Sequence, residues 1–177
     1  LNKDGNVQEN LQLVKKFHLD ILNNLFENKN HRIFNEIHNT FVTIEWEIED
    51  NPTRNYDYIY DQIVSAGEIL STKIISAYLN EIGIKNTWQD VRNIIQTDNT
   101  YRNAKINWKL TKQLVKQNIQ FSTSNSSAII ITQGFIASSS ELFTTTLGRE
   151  GSDFSAGILA YCLNAESVTI WKDVAGM

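Results

Sequence analysis

Two glycines flank an arginine in the stretch Thr144-Thr145-Thr146-Leu147-Gly148-Arg149-Glu150-Gly151-Ser152-Asp153, and the apolar segment 154–163 follows at helical spacing. The glycines allow a tight backbone turn, and Ser152 and Asp153 are residue types that begin helices. A helix N-terminus offers free N–H groups, and the Arg149 guanidinium beside it can grip a carboxylate or phosphate through two parallel donors. The implied chemistry is recognition of a phosphorylated or acidic ligand. A plain glycine-rich loop capped by Ser152 is the alternative reading of the same residues.

A second candidate lies upstream, in Ser65-Ala66-Gly67-Glu68-Ile69-Leu70-Ser71. Ser65 and Glu68 have the spacing of a capping box, in which Glu68 turns back to the Ser65 N–H and touches no ligand. Gly67 equally permits a ligand to approach the Glu68 carboxylate closely. Other chemistry-bearing residue types are scattered. His31 and His38 are two turns apart on one helical pattern and cannot share a metal without a third element, so no zinc site is expected. Cys162 falls within an apolar segment and reads as a buried core thiol, while Trp46, Trp88, Trp108 and Trp171 are too dispersed to form a stacking platform.

The elements that must position these groups divide the 177 residues into a helical segment, 1–55, and an α/β part, 56–177. Apolar residues recur at three- and four-residue spacing from Val7 to Leu25 and again from Ile33 to Ile48, which predicts two amphipathic helices. Asn51-Pro52-Thr53 ends the second, and a third helix runs over 58–82 to Gly83. Short strands are expected over 85–90 and 94–96, and a helix over 108–118. The continuous apolar run 127–132 reads as a strand covered on both faces, and 167–171 as a second, joined to it by a helix over 153–163. Strands at Ile129 and Val168 then form a right-handed parallel crossover. The serine-rich stretches 121–127 and 138–140 read as mobile loops. Ligands bind beyond the carboxyl ends of such strands, where Gln133-Gly134-Phe135 and Lys172-Asp173 fall. If Glu68 begins its own helix facing that crevice, one pocket holds a carboxylate, an arginine and a helix N-terminus.

Composition allows one domain with a real core, since 41% of the residues are hydrophobic. With 16 Lys and Arg against 20 Asp and Glu, the net charge of −4 gives no support for nucleic-acid or anionic-membrane binding. No apolar run approaches the roughly 20 residues that span a bilayer, and a reducing cytoplasm is expected.

Gly134-Phe135-Ile136, the TTTLGR…GSD block, Ile170-Trp171-Lys172-Asp173-Val174 with Gly176, and the Ser65–Ser71 stretch lie in the order and at the spacing of the amino-acid kinase family, and resemble aspartate kinases most. The resemblance covers the chain from about Tyr58 onward and implies a three-layer α/β sandwich with a mainly parallel sheet. It also implies phosphoryl transfer from ATP, with Mg2+, to the side-chain carboxylate of L-aspartate. On it, Glu68 receives the substrate ammonium and Arg149 the α-carboxylate. Phe135, Thr146 and Ser152 complete the substrate site, Asp153 is the catalytic residue that orients lysines, and Lys172 and Asp173 contact the nucleotide. Lys172 stands where many aspartate kinases carry threonine, and Glu150 where the family carries a small residue.

The family opens with Lys-Phe-Gly-Gly-Thr-Ser, which supplies a lysine to the transferring phosphoryl group, and this sequence has no counterpart to it. An internal piece of a longer, homo-oligomeric enzyme is therefore expected, inactive alone and incomplete in its sheet. The alternatives are a kinase of the same fold with another substrate, or a ligand-binding piece without catalysis.

Overall fold

A computed structural model describes residues 6–50, 55–119 and 129–173. Three long helices come first: α1 (Val7–Leu25), α2 (Arg32–Asp50) and α3 (Tyr56–Glu81). Side chains start two of them, Asn6 accepting from the Glu9 N–H and Asn55 from the Asp57 N–H. Gly83, at φ 88°, closes α3, where the Gly83 and Ile84 N–H groups bond back to Asn80 and Leu79. The apolar stripes of these helices meet in one core cluster that includes the fully buried Leu22, Ile33, Ile37 and Phe41. The helical N-terminal third is therefore as the periodicity predicts.

Beyond Gly83 the chain becomes α/β. Strand β1 (Asn86–Gln89) leads into a 3-10 turn (Val91–Asn93) and then β2 (Gln96–Thr97), α4 (Trp108–Asn118), β3 (Ile129–Thr132), β4 (Ile136–Ser139), β5 (Thr144–Thr146) and α5 (Gly151–Leu163). β1 pairs in parallel with β3, and β2 pairs in parallel with β4, which pairs antiparallel with β5. α3 lies against β1, β3 and β5, while α4 and α5 pack on each other and on β2 and β4. This is the layered α/β architecture expected, with parallel pairing predominant. A second core cluster, containing Val91, Ile94, Ile95, Val115, Ile136 and Ile158, fills the space between strands and helices.

Three expectations are corrected. Residues 167–171 form no strand: they carry no regular structure and are exposed, with Val168 at 48% and Trp171 at 90%, so the crossover from Ile129 to Val168 does not form among the described residues. Ser138 and Ser139 are not a mobile loop but the buried end of β4. Ile94 and Ile95 follow the 3-10 turn rather than lying in a strand, and β2 begins one residue later. The stretches 51–54, which includes Pro52, and 120–128, which includes the other serine-rich loop, lie outside the described residues. Cys162 is buried in α5, as expected, and burial pushes its thiol pKa up, away from nucleophilic use. No helix among the described residues is long and apolar enough to cross a membrane.

Candidate functional site

The candidate site gathers at the N-terminus of α5, where two turns meet. The Gly148 to Glu150 turn leads into the helix, with Gly148 at φ 77° and Glu150, the residue before the first helical position, at φ 57°. Gly148 fits because a side chain there would strike Asn103, whose Oδ1 is 2.8 Å from the place of a Cβ. The helix starts at Gly151, and no side chain caps it. Ser152 is therefore not the cap the sequence suggests but an exposed residue of the first turn, which leaves the N-terminal N–H groups free of a capping hydroxyl.

Gly134 and Phe135 form the second turn, directly after β3. A Cβ on Gly151 would lie 2.7 Å from the Phe135 ring, so glycine here lets the helix start rest against that side chain. Phe135 is held at φ 69°, its N–H donating to Ser155 Oγ at 3.0 Å and its carbonyl accepting from Leu147 N–H at 2.8 Å. Arg149 projects from this packed base. It is exposed, and among the described residues its guanidinium makes no ion pair or hydrogen bond.

Glu68 lies on α3. It sits in the middle of that helix, so it neither begins a helix nor belongs to a capping box; Ser65 Oγ instead donates to the Gln62 carbonyl. The Glu68 carboxylate is partly buried and has no hydrogen-bond partner among the described residues, and burial raises its pKa above the ordinary glutamate value. Its helix turn is tied to the strand ends. Thr72 Oγ1 donates to the Glu68 carbonyl at 2.7 Å and accepts from both Gln133 Nε2 at 2.8 Å and Trp88 Nε1 at 3.1 Å. Gln133 Oε1 in turn accepts from the Val91 N–H at 2.8 Å. A chain of contacts thus runs from the Glu68 backbone carbonyl through the Thr72 and Gln133 side chains to Gly134 and Ser152.

Thr146 faces inward rather than toward solvent. Its N–H and hydroxyl both donate, at 2.8 Å each, to the two oxygens of Asp61, a fully buried carboxylate on α3. Asp61 Oδ2 also accepts from Arg102 N–H at 2.9 Å. Burial raises the Asp61 pKa, and these hydrogen bonds oppose the rise. Sequence reasoning placed Gln133 at the strand end but passed over Asp61. α3 also carries Asp57, Gln62, Ser71, Lys73, Ser76 and Asn80, so no local signal singled out Asp61.

Asp153, in the first turn of α5, is paired with Lys172 at 2.5 Å. The hydrogen bond from Lys172 to Asp153 raises the lysine pKa, reinforced by the charges of Asp153, Glu150 and Asp173. Lys172 and Asp173 thus lie at the α5 N-terminus without the strand expected to carry them. Among the described residues no group of three or more His, Cys, Asp or Glu side chains could hold a metal ion. Mg2+ that arrives with ATP is held largely by phosphate oxygens and one or two carboxylates, and needs no such cluster. One cleft, of about 230 Å3, sits between α2 and α3, lined by Thr40, Thr43, Lys73 and Arg92 among others, and includes none of the predicted site residues.

The start of α5 thus combines a glycine turn, a helix N-terminus without a side-chain cap and an arginine without a partner among the described residues, on an α/β fold. Residues 6–177 match the model of the amino acid kinase family, and the chain belongs to that family. It is 38% identical over 117 residues to the lysine-sensitive aspartokinase 3 of Escherichia coli, an alignment that covers 66% of this chain and 26% of that protein. It is 29% identical over 189 residues to the bifunctional aspartokinase/homoserine dehydrogenase of Buchnera aphidicola, covering 99% of this chain and 22% of the relative. The fold superposes on the crystal structure of E. coli aspartokinase III in complex with aspartate and ADP with a TM-score of 0.86 at 31% identity, over 98% of this chain and 38% of the other. The chain thus spans 12% to 26% of the length of these and similar curated relatives.

Proposed function

We propose that this chain is the amino-acid-recognising part of an ATP-dependent aspartate kinase. The observation that carries the reading is the pair of unpartnered charges, Glu68 and Arg149, on elements joined through Thr72, Gln133 and Gly134. Such a pair suits a free α-amino acid: the ammonium meets Glu68 and the α-carboxylate meets Arg149. An N-acylated or nucleotide substrate has no ammonium to offer, and would leave the Glu68 charge uncompensated.

The substrate's side-chain carboxylate then lies near Ser152 and the free N–H groups of the α5 N-terminus, where Phe135 packs against the helix start. This carboxylate is ionised at neutral pH and attacks the γ-phosphorus directly. A new carboxylate O–P bond forms, the bond to the β-phosphate oxygen breaks, and ADP leaves with that electron pair. No general base is needed, so catalysis rests on in-line positioning and on cancelling charge at the transferring group. Asp153 orients the cation of Lys172, and Lys172 and Asp173 lie toward the nucleotide. Thr146 holds the base of the Arg149 turn. The described residues supply recognition but no lysine aligned on the transferring phosphoryl group, so the chain by itself is expected to bind and not to turn over. The proposal extends to a cytoplasmic, homo-oligomeric parent enzyme, in which residues 1–55 are a helical segment of the kinase domain and 56–177 the α/β part of the same domain.

The test is Arg149→Lys in the intact enzyme. Lysine cannot hold a carboxylate through two parallel donors, so the KM for aspartate should rise at least about tenfold while the KM for ATP stays within about twofold. Equal increases in both would overturn the assignment of Arg149.

A further inference from the structure

The edge of β5 that faces away from β4 is paired with side chains of α3 rather than with another strand. Gln62 donates through Nε2 to the Thr144 carbonyl at 2.8 Å and accepts through Oε1 from the Thr144 N–H at 3.0 Å. Two residues on, Asp61 takes the Thr146 N–H and hydroxyl. Consecutive residues of one helix thereby satisfy the outward backbone groups at alternate positions of a strand, which is what a neighbouring strand would do. Asp61 also takes the Arg102 N–H, while the next residues of that loop touch the turn: Ala104 N–H donates to the Thr146 carbonyl at 2.9 Å, and Asn103 lies against Gly148.

We propose that Asp61 is a positioning residue that sets the distance between Glu68 and Arg149. Asp61 and Glu68 are seven residues apart on α3, two turns along one face. Thr146 precedes Arg149 by three residues, with the buried Leu147 and the positive-φ Gly148 between them. One carboxylate, accepting three hydrogen bonds with no solvent exposure, thus fixes the helix that carries one substrate-binding charge to the turn that carries the other. The three donors all require an acceptor, so removal of the carboxylate leaves buried N–H groups unpaired and the turn free to shift. The substrate-binding role of the two charges rests on the proposed function; the clamp itself does not.

Asparagine at position 61 separates geometry from charge. Its carbonyl oxygen can take both N–H groups, and its amide can donate to the Thr146 hydroxyl once that hydroxyl rotates to accept. In the intact enzyme, Asp61→Ala should raise the KM for aspartate at least about tenfold and leave the KM for ATP within about twofold, while Asp61→Asn stays within about threefold of the parent. Amide hydrogen exchange should quicken at residues 144–150 in Asp61→Ala and be unchanged in α1 and α2. Should the alanine variant fail to fold, Thr146→Val removes one bond of the clamp and should raise the aspartate KM a few-fold, about two to five. An unchanged aspartate KM, a parallel rise in both KM values, or an asparagine variant as impaired as alanine would overturn the proposal. If the parent enzyme does not use aspartate, the proposed function fails and exchange at 144–150 alone decides the clamp: no change there on Asp61→Ala overturns it.

Discussion

Gly134 and Ser152 lie so close that a Cβ on Gly134 would sit 2.9 Å from both the Cα and the Cβ of Ser152. The end of β3 and the first turn of α5 are in backbone contact at the point where the proposed substrate carboxylate and phosphoryl group meet. Because Ser152 Cα is main chain and cannot swing aside, even one methyl must push the helix start away. Gly134→Ala is therefore expected to cost about 1–3 kcal/mol of stability and to lower activity further than the loss of folded protein explains. Thermal unfolding together with specific activity per folded molecule checks this. An alanine variant with parent stability and parent activity would show that the contact is not needed.

Glu68 makes a pH prediction with a definite sign. Burial raises its pKa, so the folded chain holds this proton more tightly than the unfolded chain. The stability it contributes is fully present below the ordinary glutamate value of about 4.3 and is lost as pH rises through the higher, folded-state value. Glu68→Gln removes that loss, so the variant should be at least as stable as the parent at neutral pH, the difference closing toward about pH 4. Asp61 titrates in the same direction, and the comparison isolates Glu68 because Asp61 is common to both proteins. A substrate ammonium favours the ionised carboxylate, so the same variant should bind aspartate at least about tenfold more weakly. Unfolding measured from pH 4 to 8 checks the first part and calorimetry the second. A glutamine variant less stable than its parent across the range would mean that the charge has a structural partner.

The helices and the individual strands β1 and β3 were legible because their signals are local, while their pairing with each other was not. The three- and four-residue apolar spacing of α1 and α2 and the run Ile129-Ile130-Ile131 depend on no distant residue. The β4–β5 hairpin was not legible, because both strands are buried yet rich in Ser and Thr, whose usual place is a loop. Their hydroxyls are accommodated by partners far away in sequence, Thr145 meeting Thr97 at 2.7 Å and Thr146 meeting Asp61. Residues 167–171 fail in the opposite sense: they have strand-like composition, and no described strand lies beside them to supply the ladder. At the site, the glycine–arginine turn and the helix after it were readable. The clamp from α3 was not, since nothing local distinguishes a helix carboxylate that faces a strand edge from one that faces water.

Lys172 and Asp153 form the remaining link, between the segment after α5 and the first turn of that helix. Both side chains are about one-third exposed, at 34% and 29%, so water screens the pair and its contribution to stability is small. Lys172→Ala should therefore shift the melting temperature little. Function is a different matter, because the cation stands at a free helix N-terminus among the acidic groups Glu150, Asp153 and Asp173. Without it, an incoming phosphate meets only negative side chains from this cluster, and the KM for ATP should rise at least about threefold with aspartate use little changed. The raised lysine pKa keeps the ammonium charged through the neutral range, so this effect should be constant from pH 6 to 8. It should also shrink as salt is added. Steady-state kinetics at low and high ionic strength test both points, and an unchanged KM for ATP at low salt would remove Lys172 from the nucleotide side of the site.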